Sequence, residues 1–292
     1  MQSKQTSFHR IIVLAYPATQ GGQEQAATIA RFLEQSRGSP AVAWGSLLDP
    51  ELLGRIENDE FDLVVALGGD GTVLRAGHLC APLGIPILGI NLGRFGFLTE
   101  IQRGKWREGL TRLVDGRYRI EERMLLKAEH RREGKLLGSW PVINEVVICR
   151  GQFVRPIRVK TCVDGHVLTT YVADGVIAAT PTGSTAYALA VGGPIMPPEL
   201  RNILLIPVAP HISMDRAIIL SQGARVKMMA YTDHEAVMSV DGHTPLPLLD
   251  GDEVTVEANE LTVKFIRFRE PGYFYGNISA YMEHNPSAGN IG

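Results

Sequence analysis

A chain of 292 residues that is 45% hydrophobic and 21% charged carries enough apolar text for one large core or two modest ones. Its formal net charge of −2 gives no electrostatic footprint for nucleic acid or an anionic membrane. No stretch approaches the ~20 apolar residues of a membrane-spanning helix, residues 1–7 show no apolar run behind a basic start, and Cys80, Cys149 and Cys162 form no C-x-x-C pair, so a reduced, cytoplasmic globular protein is expected.

In chain order, residues 11–15 read as a short apolar strand, and Ala26, Ile29, Ala30 and Leu33 give residues 23–35 a helical face. Residues 41–44 are a second strand. Phe61-Asp62-Leu63-Val64-Val65-Ala66-Leu67 is a third, with six apolar residues in seven, and it runs into Gly68-Gly69-Asp70-Gly71-Thr72. A helix opens over 73–79, and residues 85–90 form a fourth strand. Short strands alternating with helices predict a Rossmann-like, doubly wound α/β domain over residues 1–121, with ligands at the carboxyl ends of its strands.

Beyond Tyr118 the helical alternation fades. Residues 123–130, 142–149, 157–163, 167–172, 224–230, 236–240, 253–257 and 261–268 are strand-like, and Asp164-Gly165 and Asp241-Gly242 are hairpin turns. A β-rich, sandwich-like domain is expected over 122–268, with one helix opening at Ser184. Residues 269–292 are a tail, either packed back on the first domain or mobile.

Four segments carry chemistry. In the Gly68–Thr72 loop, glycines let backbone N–H groups approach something bulky and anionic. A carboxylate there repels a phosphate unless Asp70 handles a proton or faces a metal-bound phosphate, which points to phosphoryl transfer. The competing reading is a strand-to-helix turn capped by Asp70 or Thr72. The Gly-punctuated loop Asn91–Thr99 carries Phe95 and Phe97, which either lie over a base or close the core. Asn144-Glu145 interrupts an apolar run, a costly position unless a partner such as a ribose diol satisfies both side chains; a bulge or strand end is the alternative. Thr180-Pro181-Thr182-Gly183-Ser184-Thr185 has four hydroxyl residues in six ahead of a helix, more than one cap needs, and reads as a polar-ligand cradle.

Gly68-Gly69-Asp70-Gly71-Thr72, Asn144-Glu145 and Thr180-Pro181-Thr182-Gly183-Ser184-Thr185-Ala186-Tyr187, in this order, resemble the NAD kinases of bacteria and eukaryotes. The likeness runs from about Ile11 to Phe268 and includes Pro210-His211 and Ser239-Val240-Asp241-Gly242. The first element is shared with diacylglycerol and sphingosine kinases; the Thr180–Tyr187 element is far more specific. The resemblance implies transfer of the γ-phosphoryl group of ATP, or in some members polyphosphate, to the 2′-hydroxyl of the NAD adenosine ribose. It implies a divalent metal, usually magnesium, held mainly by phosphates, and an active site between the domains. Asp70 would contact that ribose as base, and Gly68, Gly69, Gly71 and Thr72 would admit donor phosphates. Gly71 and Phe97 would also line the NAD pocket, and Asn144 and Glu145 would bind hydroxyls. Asp174, Thr185, Ala186 and Tyr187 would hold the two ends of the dinucleotide, with Asp241 nearby. NAD kinases of this type usually form homotetramers or homodimers.

No Gly-x-x-x-x-Gly-Lys-Ser/Thr loop is present, and no Gly-x-Gly-x-x-Gly opens the first helix, so neither a P-loop nor dehydrogenase-style NAD binding is expected. Val172 stands where many bacterial members have a basic or polar residue tied to nicotinamide redox discrimination. Ala179 and Ala190 stand where a serine is common. A lipid kinase would explain Gly68–Thr72 but not Thr180–Tyr187, and a non-catalytic NAD(H) sensor would not need Asp70, Asn144 and Glu145 intact.

Overall fold

The computed structural model describes residues 7–93, 96–211, 214–276 and 278. The chain divides into two compact units, one gathering the described residues of Met1–Glu122 and Val263–Gly292, the other Arg123–Thr262.

The first unit runs β1 (Arg10–Ala15), α1 (Gly22–Glu34), β2 (Ala41–Ser46), α2 (Pro50–Glu57), β3 (Leu63–Leu67), α3 (Asp70–Cys80), β4 (Ile87–Asn91), β5 (Ile101–Gln102) and α4 (Trp106–Val114). The strands pair in parallel in the order β2-β1-β3-β4, in register Ile11↔Val42, Ile11↔Leu63 and Val64↔Ile87. β3 and β4 are buried at every position, as strands covered on both faces must be. Ala26, Ile29, Ala30 and Leu33 of α1 pack with Val13, Val65 and Leu88, and Leu110 and Leu113 of α4 join the same core. Each fully buried Leu or Ile contributes roughly 1.5–3 kcal/mol. Neither α2 nor α4 stands out in the apolar pattern, yet α2 carries local signals, Pro50 at its start and an Asp49 carboxylate accepting from the Glu51 N–H at 3.0 Å.

The second unit holds β6 (Arg119–Arg132, which begins in the first), β7 (Lys135–Val142), β8 (Glu145–Arg150), β9 (Ile157–Val163), β10 (His166–Ala173), β11 (Gly175–Ala179), α5 (Tyr187–Ala190), β12 (Asn202–Val208), β13 (Ile218–Ser221), β14 (Val226–Tyr231), β15 (Ala236–Val240), β16 (Leu246–Leu248) and β17 (Glu253–Arg267, whose end belongs to the first unit). One sheet has the order β13-β12-β11-β8-β15-β16, and β10-β9-β14-β17 faces it. Val146, Ile148, Val176 and Ala178 of the former share a core with Val159, Tyr171, Val226 and Val254 of the latter. The six-stranded sheet is also covered on its other face, where Val147, Ile177 and Leu204 meet Ala188 and Met196. Asp164 (φ 51°) and Gly165 (φ 82°) make the tight turn from β9 to β10, the left-handed pair the dipeptide suggests.

The structure corrects several expectations. The apolar run 142–149 is not one strand, since β7 ends at Val142 and β8 starts at Glu145. Residues 253–257 and 261–268 are one strand, whose end lies beside β4 at Phe265↔Ile87 rather than in the β-rich unit. The helix expected from Ser184 is a single 3₁₀ turn, Gly183–Thr185, followed by the four residues of α5.

Candidate active site

In the first unit, β3 delivers the chain to Gly68-Gly69, and Asp70 is the first residue of α3. A Cβ on Gly68 would lie 2.1 Å from Thr72 Oγ1, so this glycine makes room for the Thr72 side chain. At Gly69 and Gly71 a Cβ would meet nothing within 4 Å, and these two positions form the open flank. Asp70 sits in the first helical turn, where the aligned peptide dipoles favour an anion. Its carboxylate is held from outside α3. Oδ2 accepts the Phe97 N–H at 2.7 Å and Oδ1 the Leu98 N–H at 3.0 Å, across 27 and 28 residues of sequence. Gly96 is glycine for the same reason, because a Cβ there would come within 2.1 Å of Asp70 Oδ1. Phe97 is half-buried, and Phe95 lies outside the described residues.

In the second unit, Asn144 falls in the break between β7 and β8, and Glu145 opens β8. The break is pinned from both sides. The Asp241 carboxylate accepts the N–H groups of Ile143 (2.7 Å), Asn144 (2.8 Å) and Glu145 (2.9 Å). Thr180 donates its hydroxyl to the Ile143 carbonyl at 2.6 Å and its N–H to the Asn144 carbonyl at 2.8 Å. A Cβ on Gly183 would sit 2.1 Å from the Asn144 carbonyl oxygen, so the turn closes on this backbone only with glycine there. Asp241 is therefore a backbone anchor of the Asn144-Glu145 segment, a role its sequence position did not suggest.

Two more of the four hydroxyls bond within the turn. Ser184 donates to the Pro181 carbonyl at 2.6 Å and accepts the Met196 N–H at 2.9 Å, and Thr185 donates to the Thr182 carbonyl at 3.1 Å. Thr180 and Ser184 are buried. Four hydroxyls in six residues thus shape a rigid turn more than they line a cradle. What that turn presents is Ala186 and the half-exposed Tyr187, whose backbone N–H donates to the Glu145 carboxyl.

Glu145 is 7% exposed, and its Oε2 has no hydrogen-bond partner among the described residues. Burial first, then the Asp241 charge, push its carboxyl up to about 8, against the Tyr187 N–H that favours ionisation. At neutral pH it is a carboxylic acid, able to donate as well as accept. Asp174, one residue before β11, pairs with Arg150 Nε at 3.0 Å. Burial raises the Tyr187 phenol, and Cys149, Asp174 and Glu145 raise it further, which brings these four residues and Arg150 into one electrostatic neighbourhood. Arg150 and Cys149 carry no motif; only the pairing of Cys149 with Gly175 reveals them. Among the described residues no group of three or more His, Cys, Asp or Glu is arranged to hold a metal ion.

Residues 16–118 match the ATP-NAD kinase N-terminal domain, and residues 143–268 the ATP-NAD kinase C-terminal domain. The NAD kinase of Heliobacterium modesticaldum is 44% identical over 226 residues, 77% of this chain and 79% of that protein. The NAD kinase of Chloroflexus aggregans is 42% identical over 257 residues, 88% and 90% of the two chains. Among solved structures, an NAD kinase from Archaeoglobus fulgidus in complex with ATP superposes with a TM-score of 0.75 at 26% identity, covering 94% of this chain and 99% of that one. Yeast NADH kinase complexed with NADH shares the fold, with a TM-score of 0.84 at 24% identity, covering 96% and 89%. The Gly68–Thr72 loop in one unit and the pinned Asn144-Glu145 turn in the other thus fall within matched domains that cover most of the chain, and the chain belongs to the ATP-NAD kinase family.

Proposed function

We propose that this NAD kinase transfers the γ-phosphoryl group of ATP to the 2′-hydroxyl of the NAD adenosine ribose, with Asp70 as the proton acceptor. The observation that carries the reading is the Asp70 carboxylate itself, fixed by two backbone N–H groups at the head of α3 beside the open flank at Gly69 and Gly71. A ribose hydroxyl is far too weak an acid to ionise at neutral pH. As its oxygen bonds to the γ-phosphorus and the bond to the β-phosphate oxygen breaks, the hydroxyl proton passes to Asp70 and ADP leaves. Two N–H donors keep the carboxylate in one rotamer, so it meets the hydroxyl already oriented.

Magnesium, carried on the triphosphate of the substrate, would neutralise charge on the transferred group. An acidic first turn with no Cβ at Gly69 and Gly71 fits a phosphate-bound cation. In the second unit, Asn144 and the protonated Glu145 bind hydroxyl groups, Asp174, Thr185, Ala186 and Tyr187 bind the dinucleotide, and Asp241 holds the Asn144-Glu145 backbone that does so. The protein acts in the cytoplasm as a homotetramer or homodimer; β2 and β13 end their sheets with half-exposed Trp44 and Ile219, edges that need cover.

Incubation with MgATP and NAD, followed by ³¹P NMR of the product, tests the reading. One 2′-phosphate monoester per ADP is expected. A phosphate on another hydroxyl, or ATP hydrolysis alone, would overturn it. Inorganic polyphosphate in place of ATP decides whether the donor site needs adenosine, and a monomeric mass by light scattering would remove the oligomer.

A further inference from the structure

The loop that holds Asp70 is itself held from behind by a buried cluster of charges in the same unit. Leu98 joins the two. Its N–H donates to Asp70 Oδ1, and its carbonyl oxygen accepts from Arg267 Nη1 at 3.0 Å. These groups belong to adjacent peptide planes hinged at the Leu98 Cα, so the second contact fixes the orientation from which the first is made.

Arg267, near the end of β17, is 5% exposed. Its Nε donates to Glu121 Oε1 at 3.1 Å, and its Nη1 lies 3.5 Å from Glu100 Oε2. Both carboxylates are nearly as buried as the guanidinium. Each is anchored in turn, Glu121 by Arg119 Nη2 at 3.0 Å and Glu100 by the Phe268 N–H at 2.8 Å. The Glu100 N–H donates to the Gly89 carbonyl of β4, tying the loop to the sheet. The guanidinium also lies 5.0 Å from the centre of the Phe265 ring.

Stability alone is a poor explanation for this arrangement. Burying one guanidinium among two carboxylates costs desolvation that apolar residues of similar volume avoid, and Arg267 Nη2 is buried without a hydrogen-bond acceptor among the described residues. What the cluster provides is direction, a planar donor aimed at one carbonyl of the loop. We propose that Arg267 is a positioning residue of the phosphoryl transfer, holding the Leu98 backbone so that the Phe97 and Leu98 N–H groups fix the Asp70 carboxylate. The inference rests on the reading of Asp70 as proton acceptor.

The test is a double-mutant cycle on the full chain with MgATP and NAD. R267K keeps a positive charge for Glu100 and Glu121, but one ammonium cannot reproduce the planar fork that reaches both Glu121 and the Leu98 carbonyl. It is expected to lower kcat about tenfold, since small misplacements of a catalytic group cost 10- to 100-fold, while the KM for NAD stays within about twofold. In a D70N background the same substitution is expected to cost nothing further, because the group it positions is gone. E121Q, which removes the charge steadying the guanidinium and leaves an oxygen for Nε, serves as the milder variant if R267K does not fold. It is expected to cost about threefold in kcat with the same dependence on Asp70. An unchanged kcat, or an equal loss with and without Asp70, would make the cluster merely structural and overturn the proposal. If D70N itself keeps near-wild-type kcat, the Asp70 reading fails and the inference with it; an inactive D70N beside an unaffected R267K defeats the inference alone.

Discussion

Asp241 and Glu145 are coupled twice: the Asp241 carboxylate accepts the Glu145 backbone N–H at 2.9 Å, and its charge helps keep the Glu145 side chain protonated. The Asp241 carboxylate accepts three backbone N–H groups, and Glu145, buried beside it, is pushed up to about 8 by burial and by the Asp241 charge. The folded Glu145 carboxyl therefore binds its proton more tightly than the unfolded one, whose ordinary value is 4.5. Its effect on stability is most favourable below pH 4.5 and is lost as the pH climbs towards about 8. The loss is on the order of a few kcal/mol. Glu145→Gln, neutral at every pH, should melt like the wild type at pH 4 and several degrees above it at pH 8.5. Calorimetry at the two pH values checks this, and an equal difference at both would show that Glu145 does not carry the titration.

If Asp70 is the proton acceptor, as proposed above, Asp70→Asn should lower kcat by about 100-fold or more while NAD still binds. It also disturbs the loop, since an amide offers one oxygen to the two N–H donors of Phe97 and Leu98, and its NH₂ faces the other donor. Steady-state kinetics together with calorimetric NAD binding separate the effects. Near-wild-type kcat would leave Asp70 with a structural role only.

Much of this was legible in the chain, and the reasons for the rest are physical. Residues 11–15 and β3 are uninterrupted apolar runs because both faces are buried, and Asp164-Gly165 marks its turn because two residues at positive φ favour such a pair. Asn144-Glu145 announces itself as polar text in an apolar run. Its explanation, Asp241, lies 96 residues away from Glu145 and is brought there by β15 pairing with β8. The Arg267 cluster spans 146 to 169 residues and depends on β17 lying beside β4, a pairing no local pattern encodes. The hydroxyls of Thr180–Thr185 misled in the other direction. A sequence counts hydroxyl groups but does not reveal that Ser184 and Thr185 donate to carbonyls of their own turn and Thr180 to the Ile143 carbonyl.

Gly183→Ala should damage NAD binding more than turnover. The added Cβ would meet the Asn144 carbonyl oxygen, its carbon and its Cα at 2.1, 2.4 and 2.8 Å, all backbone atoms of a segment held by Asp241 and Thr180. With no flexible neighbour to give way, either the turn or the Asn144-Glu145 break must shift, at a cost of about 1–3 kcal/mol. The expected result is a lower melting temperature and a KM for NAD raised about tenfold, with kcat changed much less. A wild-type KM would mean that the Asn144-Glu145 segment does not contact the dinucleotide.

The last prediction concerns the redox state of the nicotinamide. NAD⁺ carries a positive pyridinium ring and NADH a neutral one, and Val172 gives the protein no charge or hydrogen bond with which to distinguish them. Asp174, which the family resemblance sets near one end of the dinucleotide, would favour the cation if its charge were free. It is not: Arg150 Nε stands 3.0 Å away, and both side chains are mostly buried. The pair leaves only part of the Asp174 field to act on the ring. NAD⁺ should therefore be the better substrate by only about tenfold in kcat/KM, or about 1.4 kcal/mol, with NADH measurably phosphorylated. Arg150→Met removes the partner of the Asp174 carboxylate and should widen the gap several-fold in favour of NAD⁺. Parallel kinetics on the two nucleotides with both proteins decide the matter. A ratio that Arg150→Met leaves unchanged would place the nicotinamide away from Asp174.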